Sequence, residues 1–171
     1  MTDVFNTLLA IFLLRGRPQD LPASRSLVWF TALAVVLTDY ALDRLHEDPV
    51  SRLSFAAAQA VLLGAVVWLA LRLRGYPERW MQTIAPLYAA SAFINLLSWP
   101  LLSGIDRAQA DGLSWPLLFG FIMTLWFLAI MTQVLRHALA TPIALGLLAA
   151  ISCLMTSGLA LLLMFPEVMH P

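Results

Sequence analysis

The stretch from Ile143 to Phe165 reads IALGLLAAISCLMTSGLALLLMF, 23 residues without a single charge. A helix needs about 20 mostly apolar residues to cross the hydrocarbon core of a bilayer, so this segment is long enough to span one. Four further blocks of similar character precede it, separated by short joints that carry arginine or proline. Residues of the apolar class make up 61% of the 171-residue chain and charged ones only 12%, about half the usual share for a globular protein. In lipid, backbone N–H and C=O groups find no outside partners, so spans of this kind must be helical. The expected fold class is all-α: an integral membrane helical bundle of five transmembrane helices, preceded by a short N-terminal interfacial helix.

The five spans are read at about 27–45, 50–73, 82–102, 115–135 and 142–165, leaving a tail at 166–171. Ser24 or Ser26 is placed to cap the first, and Asp48-Pro49 starts the second with an acid at the N-cap and proline at the first helical position. Arg72, Arg74 and Gly75 close the second span. Pro77 and Glu78 open a turn at the interface that leads with Arg79 and Trp80 into the third. The polar joint from Ser103 to Ser114, with Gly104, Asp106, Arg107, Asp111 and Gly112, reads as a loop. Thr141-Pro142 opens the last span.

Residues 1–26 differ. Val4 to Leu14 is an apolar run too short to span, with Phe5, Leu8, Leu9 and Phe12 at helical spacing and Arg15 and Arg17 at its end. That pattern fits a helix lying on the cytoplasmic surface with its arginines near anionic headgroups, and a re-entrant segment is the alternative. Gly16, Pro18 and Pro22 then make a turn. Met1-Thr2-Asp3 lacks a basic leader, so no cleaved signal peptide is expected.

All ten basic residues are arginine, and they are unevenly placed. Arg15, Arg17, Arg25, Arg72, Arg74, Arg79 and Arg136 fall on one side of the expected bundle, and Arg44, Arg52 and Arg107 on the other. Cytoplasmic loops carry the excess of positive charge, so the amino terminus is expected in the cytoplasm and the carboxyl terminus in the periplasm of a bacterial inner membrane. Zero net charge removes any general attraction to nucleic acid.

Spans in lipid associate by close packing, which small residues permit. Ala56, Ala60 and Gly64 form such a ladder on the second span. Gly146 with Ala150, and Ala149 with Cys153 and Ser157, repeat the device on the fifth, while Ala85 and Ala89 do so on the third. The second and fifth spans are therefore expected at the centre. Gln59, Asn95 and Gln133 are polar groups at membrane depth, suited to inter-helix hydrogen bonds or to lining a polar path.

Asp39 lies about 18 Å along the first span from Leu27, with Asp43 one turn later on the same face. A carboxylate at membrane depth costs about 2.5–3.5 kcal/mol on insertion scales and marks either a cation or proton site or an early end to the helix. His137, beside Arg136 in the return between the last two spans, reads as an ordinary interfacial residue, or as one that titrates near neutral pH or binds a lipid phosphate with the arginine. His46 with Glu47 and Asp48 lacks a second histidine at ligand spacing. No nucleophile with its base, no phosphate loop and no Cys/His pattern is present, so neither an enzyme nor a cofactor is expected. The positions that stand out are Asp39, Asp43, Asn95, Arg136 and His137.

The order of parts resembles the Yip (Ypt-interacting protein) family of small five-span membrane proteins. Phe5 to Pro22 is similar to its lead-in. Arg74-Gly75-Tyr76-Pro77-Glu78-Arg79-Trp80-Met81-Gln82-Thr83 is similar to its basic joint before the third span, and Leu125 to Ala149, with His137, to its closing hairpin. The resemblance implies a non-enzymatic membrane protein acting by association, with no catalytic residues. Expected partners are the bilayer, its anionic headgroups, and other membrane subunits or a second copy. The expected role is scaffold, assembly factor or accessory subunit; a small ion-coupled transporter using the intramembrane carboxylate of Asp39, with Asn95 and Gln59 nearby, is the alternative.

Overall fold

A computed structural model of the chain describes residues 2–43, 48–111 and 115–166, with side chains described for 4–43, 48–99 and 118–166. The described residues form six α-helices: α1 (Thr2–Phe12), α2 (Arg25–Leu42), α3 (Pro49–Leu73), α4 (Trp80–Asp111), α5 (Trp115–Ala138) and α6 (Ile143–Met164). Short 3-10 turns at Pro18–Asp20 and Pro77–Arg79 precede α2 and α4. Four of the helices, α2, α3, α5 and α6, have the length and apolar composition to cross a membrane. The expected tail lies beyond the described residues from 167 onward, as do His46 and Glu47.

Capping follows the sequence closely. The Ser24 hydroxyl accepts from the Leu27 amide at 3.4 Å, and the Asp48 carboxylate accepts from the Ser51 amide at 2.9 Å. Each satisfies one of the donors that a helix start leaves open. At the end of α3, Gly75 takes φ +81°, and the Tyr76 amide reaches back to the Leu71 carbonyl at 2.9 Å, a reversal that glycine makes without strain.

Two expectations are corrected. The joint at 103–114 is not a loop throughout, since α4 runs unbroken to Asp111. Beyond Pro100 that stretch has no proline, and its Ala108-Gln109-Ala110 favours helix, so one glycine at 104 does not stop it. The centre of the bundle, moreover, is α4 and not the second and fifth spans. Thr83, Ile84, Ala85, Pro86, Leu87 and Tyr88 are buried in succession, so α4 is enclosed on every side there. It packs against α1, α2, α3 and α5, most extensively against α2, while α6 lies at the edge against α3 and α5. Gln82, Thr83, Asn95 and Ser98 dilute its hydropathy, which a helix surrounded by protein can tolerate.

The small-residue ladders do mark packing faces. Ala56, Ala60 and Gly64 of α3 are all buried, as are Gly146, Ala150 and Cys153 of α6. The missing side chain at Gly64 leaves a notch that the Tyr88 hydroxyl fills. A Cβ built there would stand 2.6 Å from that oxygen. Tyr88 donates to the Ala60 carbonyl at 2.6 Å, and the Trp80 ring N–H donates to the Gly64 carbonyl at 2.9 Å. Two aromatic side chains of α4 thus latch onto α3 where its small residues let them approach.

In α1 the face packed on the bundle is Val4, Leu8, Ile11 and Phe12, while Phe5 and Leu9 point outward, 67% and 42% exposed. The Phe12 ring stacks on Phe93 of α4 at 5.4 Å, and the Trp126 ring N–H of α5 donates to the Phe12 carbonyl at 3.0 Å. Phe93 is 13 residues beyond the start of α4, or about 20 Å along its axis.

Candidate functional site

Asp39 sits in the last turn of α2, whose helix ends at Leu42 with Asp43 as its extended C-cap. The Asp43 amide donates to the Asp39 carbonyl at 2.9 Å, which closes that turn. Because α2 lies along α4, Asn95 faces this turn. Its amide group donates to Asp39 Oδ1 at 2.6 Å and to Thr38 Oγ1 at 3.1 Å. The Thr38 hydroxyl donates in turn to the carbonyls of Ala34 and Val35, at 3.0 and 2.9 Å. Each hydrogen of the Asn95 side-chain amide has a recipient, and Thr38 both accepts and donates. The exception is Asp39 Oδ2, which is buried without a partner among the described residues. The cluster thus holds one carboxyl oxygen in a fixed place and leaves the other open.

The transporter alternative expects Asn95 and Gln59 near Asp39, and the structure brings Asn95 to it. It does not bring Gln59 to them: that side chain faces outward from α3. Arg136 and His137 belong to the other end of the bundle, in the last turn of α5. There the Gln19 side chain donates to the His137 carbonyl at 3.2 Å, Arg79 donates to the Ala138 carbonyl at 3.1 Å, and the Gln133 and His137 side chains meet at 3.3 Å. Gln82 donates to the Leu21 carbonyl at 2.9 Å. These bonds clamp the segment after α1 and the start of α4 onto the end of α5. His137 is therefore part of a polar seam between segments.

Thr38, Tyr88 and Gln19 carry no expectation from the sequence, and Trp80 only that of an interfacial residue at the start of the third span. Tyr88 and Trp80 lie two turns apart on α4, opposite small residues on α3, and that pairing was the available signal. Nothing in the local sequence marks Thr38 or Gln19, whose partners are 57 and 118 residues away.

An all-helical chain with four helices fit to cross a bilayer and a polar pair between two of its helices defines a multi-pass membrane protein. No family model matches the sequence, and neither a curated protein nor a solved structure shows significant similarity to it.

Proposed function

We propose that this is a non-catalytic protein of a bacterial inner membrane that works by association, as a scaffold, assembly factor or accessory subunit of a membrane complex. The observation that carries the reading is Gln59. It lies 10 residues into α3, about 15 Å along the helix, a depth at which a bilayer would surround it with hydrocarbon. It is exposed, and its amide makes no hydrogen bond among the described residues. A primary amide facing lipid is unfavourable until another helix supplies partners, and such bonds are worth roughly 0.6–2 kcal/mol, or about 3- to 30-fold in affinity. The partner is a second copy or another subunit, a reading that the Yip-like order of parts also favours. Purification from native membranes in mild detergent is expected to yield a stoichiometric complex with the unmodified chain, and several-fold less with Gln59→Leu. Recovery of a lone protomer in both cases would refute it.

In this reading α4 is the fifth span, threaded through the middle of the others. The amino terminus is cytoplasmic, supported by the seven arginines at one end against three at the other. A periplasm-dependent reporter fused after Pro171 is expected to be active, and activity of a cytoplasm-dependent one would reverse the topology. Support for a re-entrant course of α1, in place of one flat on the surface, comes from the depth of Phe12 and from the apolar residues on both faces of α1.

A second reading, a small ion-coupled transporter, is favoured by the open Oδ2 of Asp39 beside Asn95. Proteoliposomes are then expected to show proton or cation flux that Asp39→Asn abolishes, and no flux from the unmodified protein rejects it.

A further inference from the structure

The halves of α2 and α3 remote from the 43–48 connection enclose a recess of about 880 Å³. Its walls are Trp29 and Leu33 of α2 with Val61 and Trp68 of α3, and its floor is Trp80 and Tyr88 of α4. It falls in the range of sites that hold a small molecule, roughly 300–1,000 Å³. The polar atoms of the floor are already used, Trp80 on the Gly64 carbonyl and Tyr88 on the Ala60 carbonyl. An occupant therefore meets an apolar surface. Trp29 is 76% exposed, so the recess opens sideways, and in a bilayer that means into the acyl chains.

The mouth has a different character. Arg25, the first residue of α2, lines it and makes no bond among the described residues. Arg72 stacks its guanidinium over the Trp68 ring of the facing wall at 4.9 Å. Among the described residues no acidic side chain lines the recess. An apolar body ending at a guanidinium group complements the shape and charge of a molecule that bilayers supply. We infer that the recess between α2 and α3 is a binding site for a phospholipid with an anionic headgroup, its acyl chains along the α4 floor and its headgroup against Arg25. A helix from another protein would match the apolar walls but would leave Arg25 at the mouth without counter-charge. The leaflet is the cytoplasmic one if the orientation proposed above is correct, whereas binding itself depends neither on orientation nor on Gln59.

The test uses the full chain in phosphatidylcholine vesicles that contain a minor fraction of either phosphatidylglycerol or phosphatidylcholine with brominated acyl chains. Bromine quenches tryptophans that it touches, and Trp29, Trp68 and Trp80 surround the recess. The phosphatidylglycerol probe is expected to act at about fivefold lower mole fraction, the factor that one arginine near an anionic surface is worth. Arg25→Gln should bring the two probes close to parity, and Arg25→Lys should restore the preference. Ala57→Phe, which fills the recess, should weaken quenching by both probes while helical circular dichroism stays unchanged. Equal quenching by both probes in the unmodified protein, or a preference that survives Arg25→Gln, overturns the inference. So does a stoichiometric membrane protein displaced by Ala57→Phe while lipid quenching persists, since the recess would then be a seat for a helix.

Discussion

Gly146→Leu is expected to prevent recovery of a monodisperse protein in mild detergent, whereas Gly158→Leu, three turns further along the same helix, should behave like the unmodified chain. The contrast comes from what each glycine faces. A Cβ at Gly146 would lie 2.6 Å from Arg136 Cβ, 3.0 Å from the Thr132 carbonyl oxygen and 3.1 Å from Arg136 Cα. Two of those atoms belong to the α5 backbone and the third is fixed to it, so no rotamer change relieves the clash and α5 itself must move. It is poorly placed to do so. The return between the helices is four residues long, with Ala140 at φ +52° and the Thr141 amide bonded to the Arg136 carbonyl at 2.9 Å. The hairpin is thus tied one turn from the contact. The same end of α5 is also held by Gln19 and Arg79. At Gly158, by contrast, a Cβ meets nothing within 4 Å. Even Gly146→Ala should cost about 1–3 kcal/mol through overpacking, a fall of roughly 2–12 °C in the unfolding midpoint for a chain of this size. Fluorescence-detected size exclusion after heating reads both variants. Equal midpoints for the two leucine variants would show that α5 and α6 do not approach as described.

How far the sequence reached depends on which physical signal each feature leaves. Helix existence was legible because an apolar run of membrane length has few other solutions, and Asp48-Pro49, Gly75 and Pro142 mark ends by backbone chemistry that operates locally. Packing faces were legible where glycine and alanine recur on one side, at 56, 60 and 64 and at 146 and 150. The identity of the central helix was not. In water the most apolar helix is the most buried, but in lipid the outward face is as apolar as the interior, so hydropathy carries no inside-out information. The residues that betrayed α4 were polar ones, Gln82, Thr83 and Asn95, which lipid would penalise and protein neighbours accept. The small-residue ladders of the second and fifth spans showed that those helices pack closely, and this is equally true of a helix at the edge. The polar joint from Ser103 departs from expectation for the opposite reason: polarity there does not mean irregular backbone, since alanine, glutamine and arginine continue a helix readily once it has started. Asp39 could be noticed because charge at depth is costly wherever it falls. Sequence offered both Asn95 and Gln59 as its neighbours and could not choose, since a hydrogen bond across 56 residues depends on how α2 and α4 are rotated about their axes.

That partnership gives the second large effect. Asn95→Leu should destabilise the bundle by roughly 1–3 kcal/mol, the cost of leaving a buried polar group unsatisfied. The substitution removes the donor to Asp39 Oδ1 while Oδ2 already lacks one, so the carboxyl group would keep neither contact in an apolar setting. Asp39→Leu alone should be milder, because the Asn95 amide retains Thr38 as a recipient. The decisive variant changes both positions to leucine. If the interaction is direct, the double variant loses the orphaned carboxyl group along with its donor, and its unfolding midpoint should recover above that of Asn95→Leu alone. Independent effects would instead make it the least stable of the three. The same variant also separates the two readings of this cluster. A structural pair leaves the folded double variant able to assemble with its partner as before, with no flux to lose. A carrier site yields a protein that is folded, inserted and silent in proteoliposomes, because the group that exchanges its cation or proton has gone while the helices around it still fit.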